Sequence, residues 1–542
     1  METIVASTSV QQANPNQTSR LYPGFGIGIV LLWLGMAVSV AVLGLTMPYY
    51  NKAAADMVSS YEALLFNSHL PPEFLVYPAV LDRVLLGTWY QFVHALGFQS
   101  IWRLEDLPPP TTNLKTYETG WQMLVQSGRV FSLLTGIVFV TAFILLVRRW
   151  IGVWQIAILA GIAWAFSSGN ALGFRMLRPE MMTATMVFSA LLIVLIAAKD
   201  GRSTWRFPAL AAAGLLVALA IMDKVQSIVP ALAILPLALA FGPAGEQRPA
   251  STPANTWIWA LLFSAAAAAA LWPAAQILLK GVALMPLHTE IPYKPLSGGM
   301  SGRYQFIIAG GIVAAMAAYA VIWRLSLAES LAGIAAVGLG LGLGFDLLYW
   351  NVSDGALVAV ANPIEHLQAH SEGSGDSLLS KSASQIQMTI LKAIGSGLAY
   401  HTFVFWPQHR PTLIIEWLAL AGMVYAYRKG RKLLALQIAL LIGCAIAEDS
   451  IFSLRQVKVY YLPYSDTPII LAGVLALSQF ADRLMTPAFE RATAAVMIVY
   501  VLWGHAQPGL AVYSHHDRGK VCGIVVQFTK RITIPYCAEP PK

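Results

Sequence analysis

Residues 24–46, GFGIGIVLLWLGMAVSVAVLGLT, run for more than twenty positions without a charged side chain. A helix rises 1.5 Å per residue, so such a run crosses a hydrocarbon core of about 30 Å. Twelve more apolar runs follow, at 127–147, 151–167, 181–198, 207–222, 225–241, 256–279, 304–323, 328–350, 411–427, 433–447, 467–481 and 492–504. The chain therefore reads as an all-α polytopic membrane protein of about 13 transmembrane helices, with 11–13 as the range because several runs are short. Composition agrees: 57% of the residues are hydrophobic and 11% charged, against about 25% charged in soluble domains. No soluble globular domain and no strong internal repeat stands out.

The net charge of +8 is a topology signal rather than a nucleic-acid signal. Arg148/Arg149, the set Lys199, Arg202 and Arg206, then Arg324, then Arg428, Lys429, Arg431 and Lys432, then Arg483 fall in alternate connections. The positive-inside rule puts these in the cytoplasm. Residues 1–23 are then a cytoplasmic tail, 24–504 the transmembrane domain, and 505–542 an extracytoplasmic tail. The first run is too long for a signal-peptide core and no A-x-A-like site follows it, so it reads as a retained anchor. Cys444 lies in an apolar run. Cys522 and Cys537 both fall in the outer tail, where an oxidising compartment permits a disulfide between them.

The long connections lie outside, at about 47–126, 280–303 and 350–410, and chemistry concentrates in such loops. Residues 52–67 predict a short helix. Residues 80–96 predict another, with Leu81, Val84, Leu85, Trp89, Phe92, Val93 and Leu96 at helical spacing. That stripe suits a helix lying in the membrane interface, or one packed on the protein's own helices. Pro108-Pro109-Pro110 forces an extended turn.

Several outer stretches carry candidate chemistry. Asp56 follows the first run, with Ser60 on its helical face and Tyr61 and Glu62 further round. Phe174-Arg175-Met176-Leu177-Arg178-Pro179-Glu180 puts two arginines on the outer side, against the positive-inside bias. Guanidinium forks bind phosphate bidentately; the alternative is an Arg–Glu pair tying a turn. Met222-Asp223-Lys224 is another outer turn, where Lys224 either meets a phosphate or snorkels. Ser453-Leu454-Arg455-Gln456-Val457-Lys458-Val459-Tyr460-Tyr461-Leu462-Pro463 adds Arg455, Lys458 and Tyr460. His515-His516-Asp517 lacks a tetrahedral ligand set, and Asp346 sits late in an apolar run near its edge. Walker A, GxGxxG and CxxC motifs are absent.

Together these stretches resemble the GT-C glycosyltransferases, integral-membrane enzymes that use lipid-phosphate-linked sugar donors, and among them the protein O-mannosyltransferases and lipid A aminoarabinose transferases. The resemblance covers roughly residues 24–480. It departs from the family at the acidic pair, where Met57 follows Asp56, and at Tyr77-Pro78, which stands where the family often has His-Pro-Pro-Leu. It implies a polyprenyl-phosphate sugar donor and a lipid, glycan or protein acceptor outside the membrane. Asp56 would be the base or acceptor-positioning group of an inverting transfer. Arg455, Lys458, Arg175, Arg178 and Lys224 would face the donor phosphate. Tyr61, Glu62, Glu180 and Tyr460 would contact acceptor or donor. A divalent metal fits some members and is not demanded by these residues. A bacterial inner membrane with a periplasmic site is the expected location, and membrane lipids are the expected surroundings. The competing readings are a transporter or flippase of lipid-linked glycans or small molecules, which would favour polar sites near the midplane, and an O-antigen-type polymerase or ligase.

Overall fold

The computed structural model describes residues 23–52, 55–73, 80–109, 113–199, 205–241, 255–280, 300–323, 325–349, 383–402, 410–453, 459–481, 486–514, 529 and 531–532. Among these there is no strand. In chain order the helices are α1 (Pro23–Ser39), α2 (Asp56–Asn67), α3 (Val80–Ala95), α4 (Leu114–Ile151), α5 (Trp154–Ala165), α6 (Ser168–Gly173), α7 (Pro179–Lys199), α8 (Arg206–Asp223) and α9 (Ile228–Ala240). They continue as α10 (Asn255–Lys280), α11 (Met300–Ile322), α12 (Leu327–Tyr349), α13 (Ala383–Thr402), α14 (Thr412–Arg428), α15 (Lys432–Ser453), α16 (Leu462–Ser478) and α17 (Pro487–Ser514).

Each of the thirteen apolar runs falls on one of these helices. Seven segments are long and apolar enough to cross a bilayer by length and composition: Gly24–Gly44, Leu114–Ile151, Pro179–Ala197, Arg206–Asp223, Asn255–Gln276, Leu327–Leu348 and Lys432–Ser453. The fold is that of an all-α polytopic membrane protein. Helix α13 is an addition to the sequence reading, because it lies in a connection expected as a long loop. Its mixed faces gave no continuous apolar run.

Caps fix where several helices turn. Asn113 caps α4 by accepting from the backbone N–H groups of Lys115 and Thr116 at 3.0 and 3.3 Å. Gly152 closes the other end at φ +85°, its N–H reaching Arg148 O at 2.8 Å. That left-handed position favours glycine. The 38 residues of α4 extend roughly 57 Å, well beyond the roughly 30 Å hydrocarbon core. The excess turns carry α2 and α3.

Small residues set the closest packing. Gly340 and Gly344 of α12 meet Ala211, Leu215 and Ala218 of α8, and Gly342 meets Ala270 of α10. A Cβ on Gly340 would strike the Ala211 carbonyl. In the Ala-rich run 264–270 the face that carries Ala267 and Ala270 is therefore helix-packing surface, as small residues in membrane helices commonly are.

The two ends of the bundle differ. One collects the basic turns: Arg149 and Arg206 line the same pocket, and Tyr425 near Arg428 packs on Phe480 with the rings tilted by 38°. The opposite end holds α2, α3, the α6–α7 turn, the α8–α9 junction and the first turns of α14 and α16. Helix α3 turns Asp82, Arg83, Leu86, Gly87 and Tyr90 inward and leaves Leu85, Phe92 and Leu96 exposed. The inward face mixes polar and apolar residues, and of the predicted stripe Leu85, Phe92 and Leu96 are exposed while Trp89 packs on Ser127 and Phe131 of α4. Arg531 of the C-terminal tail pairs with Glu73 at 2.8 Å, so tail and first loop meet at this end.

Candidate functional site

The α6–α7 turn organises the site. Gly173 ends α6 so close to Met181 that a Cβ there would meet the Met181 Cβ at 2.6 Å. Pro179 starts α7, a first-turn position that needs no backbone N–H. Between them, Phe174–Arg178 fan out in different directions.

Asp56 sits beneath this turn as the first residue of α2, where a helix N-terminus favours a carboxylate. It is 0% exposed. Its Oδ1 accepts the Leu177 backbone N–H at 2.9 Å. Its Oδ2 accepts from Arg129 Nε at 3.1 Å and Nη2 at 2.6 Å. The same guanidinium donates to the carbonyls of Gly44, Met47 and Pro48 at 2.8, 2.5 and 3.3 Å. All five donors of Arg129 are thereby used. The pair ties together the end of α1, the entry to α2 and the middle of α4. One turn along α2, Ser60 Oγ meets Tyr90 Oη at 2.9 Å, and that hydroxyl donates to Leu124 O at 3.1 Å.

On the other side of the turn lies a denser cluster. Lys224 Nζ stands 2.9 Å from Glu180 Oε1, and Arg178 Nη1 stands 3.7 Å from the same oxygen. Arg178 lies over the Tyr460 ring at 4.0 Å. Its side chain keeps 19% exposure, whereas Glu180 and Lys224 keep 1% each. Asp223 Oδ1 accepts the Asp82 backbone N–H at 2.9 Å. The Tyr464 hydroxyl meets Thr183 at 2.7 Å and Ser227 at 3.2 Å. Burial pushes the Asp82 carboxyl up to about 7; Glu180 adds to the rise and Lys224 opposes it. Several buried atoms here have no hydrogen-bond partner: Arg178 Nε, Glu180 Oε2, Asp223 Oδ2 and Gln226 Oε1. Buried polar atoms are ordinarily satisfied, so this group has spare capacity for a polar ligand.

A third group follows along α16. Arg410 donates to Asp466 Oδ1 at 2.8 Å, to Ser465 Oγ at 2.7 Å and to Asp449. Ser465 passes its own proton to Asp449 at 2.6 Å, and Thr412 donates to Asp466 at 2.6 Å. His401 stands between Glu416 at 2.8 Å and Asp449 at 3.0 Å.

Of the residues singled out in the sequence, the structure gathers Arg178, Glu180, Lys224 and Tyr460 into one cluster and hangs Asp56 from the same turn. Arg175 points away, donating to Ser39 Oγ at 2.8 Å. Tyr61 donates to Glu73 at 2.8 Å, and Glu62 pairs with Arg83 at 3.8 Å, both remote from the Asp56 carboxylate. Arg455, Lys458, Cys522 and Cys537 lie outside the described residues, as do His515, His516 and Asp517. Asp346 is partly buried in α12. Sequence reading missed Arg129, Asp82, Tyr90, Arg410, His401, Glu416, Asp449 and Asp466. A signal existed for some: Glu416 lies within an apolar run, while Asp449 and Asp466 flank two others, and charge at such positions marks a site or a partner. Among the described residues no group of three His, Cys, Asp or Glu side chains could hold a metal ion.

No family model and no curated protein matches the chain. Solved structures do. The oligosaccharyltransferase of Archaeoglobus fulgidus in complex with zinc and sulfate aligns at 15% identity and TM-score 0.42, over 90% of this chain and 53% of that one. Its apo form aligns at 14% and 0.43, over 89% and 55%. ArnT from Cupriavidus metallidurans bound to undecaprenyl phosphate aligns at 13% and 0.26, over 84% and 77%. The chain thus spans about half the length of the archaeal enzyme. Both of these proteins belong to the GT-C superfamily, the group that the sequence resembles.

Proposed function

We propose that the chain is a membrane glycosyltransferase that moves a sugar from a polyprenyl-phosphate donor to an acceptor outside the cytoplasm. One observation carries the reading. Asp56, Arg178, Glu180 and Lys224 come from three separate stretches of sequence, and one turn at one end of the bundle brings them together.

In the proposed reaction an acceptor hydroxyl attacks the anomeric carbon. The bond from that carbon to the phosphate oxygen breaks, its electron pair stays on the phosphate, and the hydroxyl proton passes to a carboxylate. A lipid phosphate is a competent leaving group, so no protein acid is needed. Asp56 is the acidic group next to the turn, with Arg129 fixing its position. Both its oxygens are engaged in this conformation, so the Leu177 N–H must yield one of them to an acceptor. Arg178, exposed at the edge of its cluster, faces the donor phosphate. Lys224 and Glu180 hold their charges behind it. Arg455 and Lys458 come from the segment just before Tyr460 and complete the phosphate contacts. Fixed cations around a developing anion are the kind of preorganised electrostatics that lowers a barrier. Inverted stereochemistry, a periplasmic site and a bacterial inner membrane belong to the same reading.

The test is turnover. Purified protein in nanodiscs is given a panel of radiolabelled polyprenyl-phosphate sugars, with water or membrane extract as acceptor, beside Asp56→Asn. Turnover of one sugar that collapses in Asp56→Asn supports the transferase and its base. Turnover that survives moves the base elsewhere. Absence of turnover with every donor favours a transporter and a flux assay.

A further inference from the structure

Among the described residues four arginines are buried at the site end of the bundle, and one differs from the other three. Arg83, Arg129 and Arg410 are each matched by carboxylates. Arg175 is 4% exposed and has no carboxylate partner among the described residues. Its Nε donates to Ser39 Oγ at 2.8 Å, and its Nη2 is buried without a partner. Ser39 Oγ also lies 3.2 Å from His505 Nε2. The opposite ring nitrogen, His505 Nδ1, is buried without a partner as well. Three elements thus converge: the last residue of α1, the α6–α7 turn, and α17.

A buried charge without a counter-ion is destabilising. Burial alone, unopposed by any acid, brings the Arg175 guanidinium down to about 10. Replacing Arg175 by an apolar residue would remove that cost, so its presence calls for an anion that occupies the site. A guanidinium with a free Nη edge, together with either the Ser39 hydroxyl or the His505 Nδ1–H according to the imidazole tautomer, offers donors to the oxygens of one small tetrahedral anion.

We propose that Arg175, Ser39 and His505 form a phosphate-binding site of their own, separate from the Arg178–Glu180–Lys224 cluster. The ligand is a phosphate monoester or diester. It comes either from a lipid headgroup or from free phosphate. The site stands on its own geometry and does not require the transfer reading.

Thermal unfolding of the full chain in detergent, at constant ionic strength, tests it. The probes are inorganic phosphate against chloride, and farnesyl phosphate against farnesol. The expected result is a rise in the wild-type midpoint with phosphate. Arg175→Met should melt no lower than wild type in chloride, show no phosphate shift, and bind radiolabelled phosphate at least tenfold more weakly. Should Arg175→Met fail to fold, Arg175→Lys keeps the charge, loses the planar fork, and is expected to show the same tenfold loss. Farnesyl phosphate saturating at tenfold lower concentration identifies a lipid headgroup, and equal saturation identifies free phosphate. No wild-type shift with either probe overturns the site, as does a full shift in the Arg175 variants. Sugar transfer measured on the same preparations separates the two readings. Transfer without an Arg175-dependent shift removes this site alone. A shift without transfer removes the transferase reading and leaves the site.

Discussion

Two buried charge clusters occupy the same end of the bundle and are matched to different degrees. Around Arg410, cations and carboxylates interleave: Asp449 and Asp466 flank the guanidinium, His401 bridges Asp449 and Glu416, and Thr412 and Ser465 donate to Asp466 and Asp449, while Asp466 Oδ2 and the neighbouring Glu448 Oε2 stay unmatched. Around Lys224, three carboxylates, Asp82, Asp223 and Glu180, share two cations, and four polar atoms stay unmatched. The more fully satisfied network is the more rigid, and each unmatched buried atom is retained at a cost in stability. The first cluster reads as a joint between α14, α15 and α16. The second reads as a place where something else completes the bonding.

The sharpest way to break that comparison is Arg410→Met. It strands Asp449 and Asp466 in the interior, and removing one partner of a buried pair costs about 3–5 kcal/mol. Unfolding followed in detergent should show that loss, or the variant should fail to elute as a monodisperse species. Arg178→Met, at the half-open edge of the other cluster, should melt within about 1 kcal/mol of wild type and lose turnover instead. Equal stability losses in the two variants would erase the distinction.

Asp56→Asn comes next. Asparagine fits the space, but it presents a donor either to Arg129 or to the Leu177 N–H, and it leaves the buried Arg129 without its counter-ion, a loss of about 3–5 kcal/mol. Removal of a general base lowers rates by about 10²–10⁴-fold. The expected outcome is a less stable protein whose folded fraction has a kcat at least a hundredfold lower, with KM for the donor little changed. A fall in folded yield with unchanged specific activity would assign Asp56 to the scaffold alone.

Much of this was legible in the chain. Apolar runs announce helices because hydrocarbon admits only backbone that satisfies itself, and all thirteen runs fell on helices. Arg178, Glu180 and Lys224 were visible as charges in short turns against the local bias. Their convergence was not, because nothing in a turn's composition says which other turn it meets. Arg129 was hidden for a different reason. It stands near the start of the apolar run 127–147, a charge that could have been noticed, but only the extension of α4 beyond that run shows that this arginine reaches the entry to α2. Arg175 and Arg178 looked equivalent in sequence. Three residues apart in an irregular turn, they point to different elements.

A smaller effect sharpens the comparison through pH. The folded-state pKa of Asp82 is raised to about 7, above the unfolded value near 4. Between those values the folded state holds a proton that the unfolded state has lost. Stability contributed by this group is present below about pH 4, declines as pH rises to about 7, and is flat beyond. The steepest slope for one group is about 1.4 kcal/mol per pH unit, and the proton belongs to the Asp82–Asp223 pair as a unit. Asp82→Asn should flatten the wild-type profile between pH 4 and 7. An unchanged slope would mean that the carboxyl ionises normally and that the cluster is better matched than its geometry indicates.

The least consequential charge is expected at the opposite end. Glu329 of α12 pairs with Arg206 at 3.3 Å, and its other oxygen accepts the Ser326 backbone N–H at 2.9 Å while Ser326 Oγ accepts the Glu329 N–H at 3.3 Å. That reciprocal pair is a capping box. Glu329→Gln keeps the box, because a glutamine oxygen still accepts from Ser326, and removes only the ion pair. Part-exposed pairs contribute about 1 kcal/mol or less, reduced further by salt. The melting shift should therefore be small and should vanish at high ionic strength. Glu329→Ala, which also opens the box, should cost about 1 kcal/mol more. If the glutamine variant were as damaging as Arg410→Met, burial at the two ends would be equivalent, and the difference between a surface pair at the basic end and a sealed network at the other would have to be abandoned.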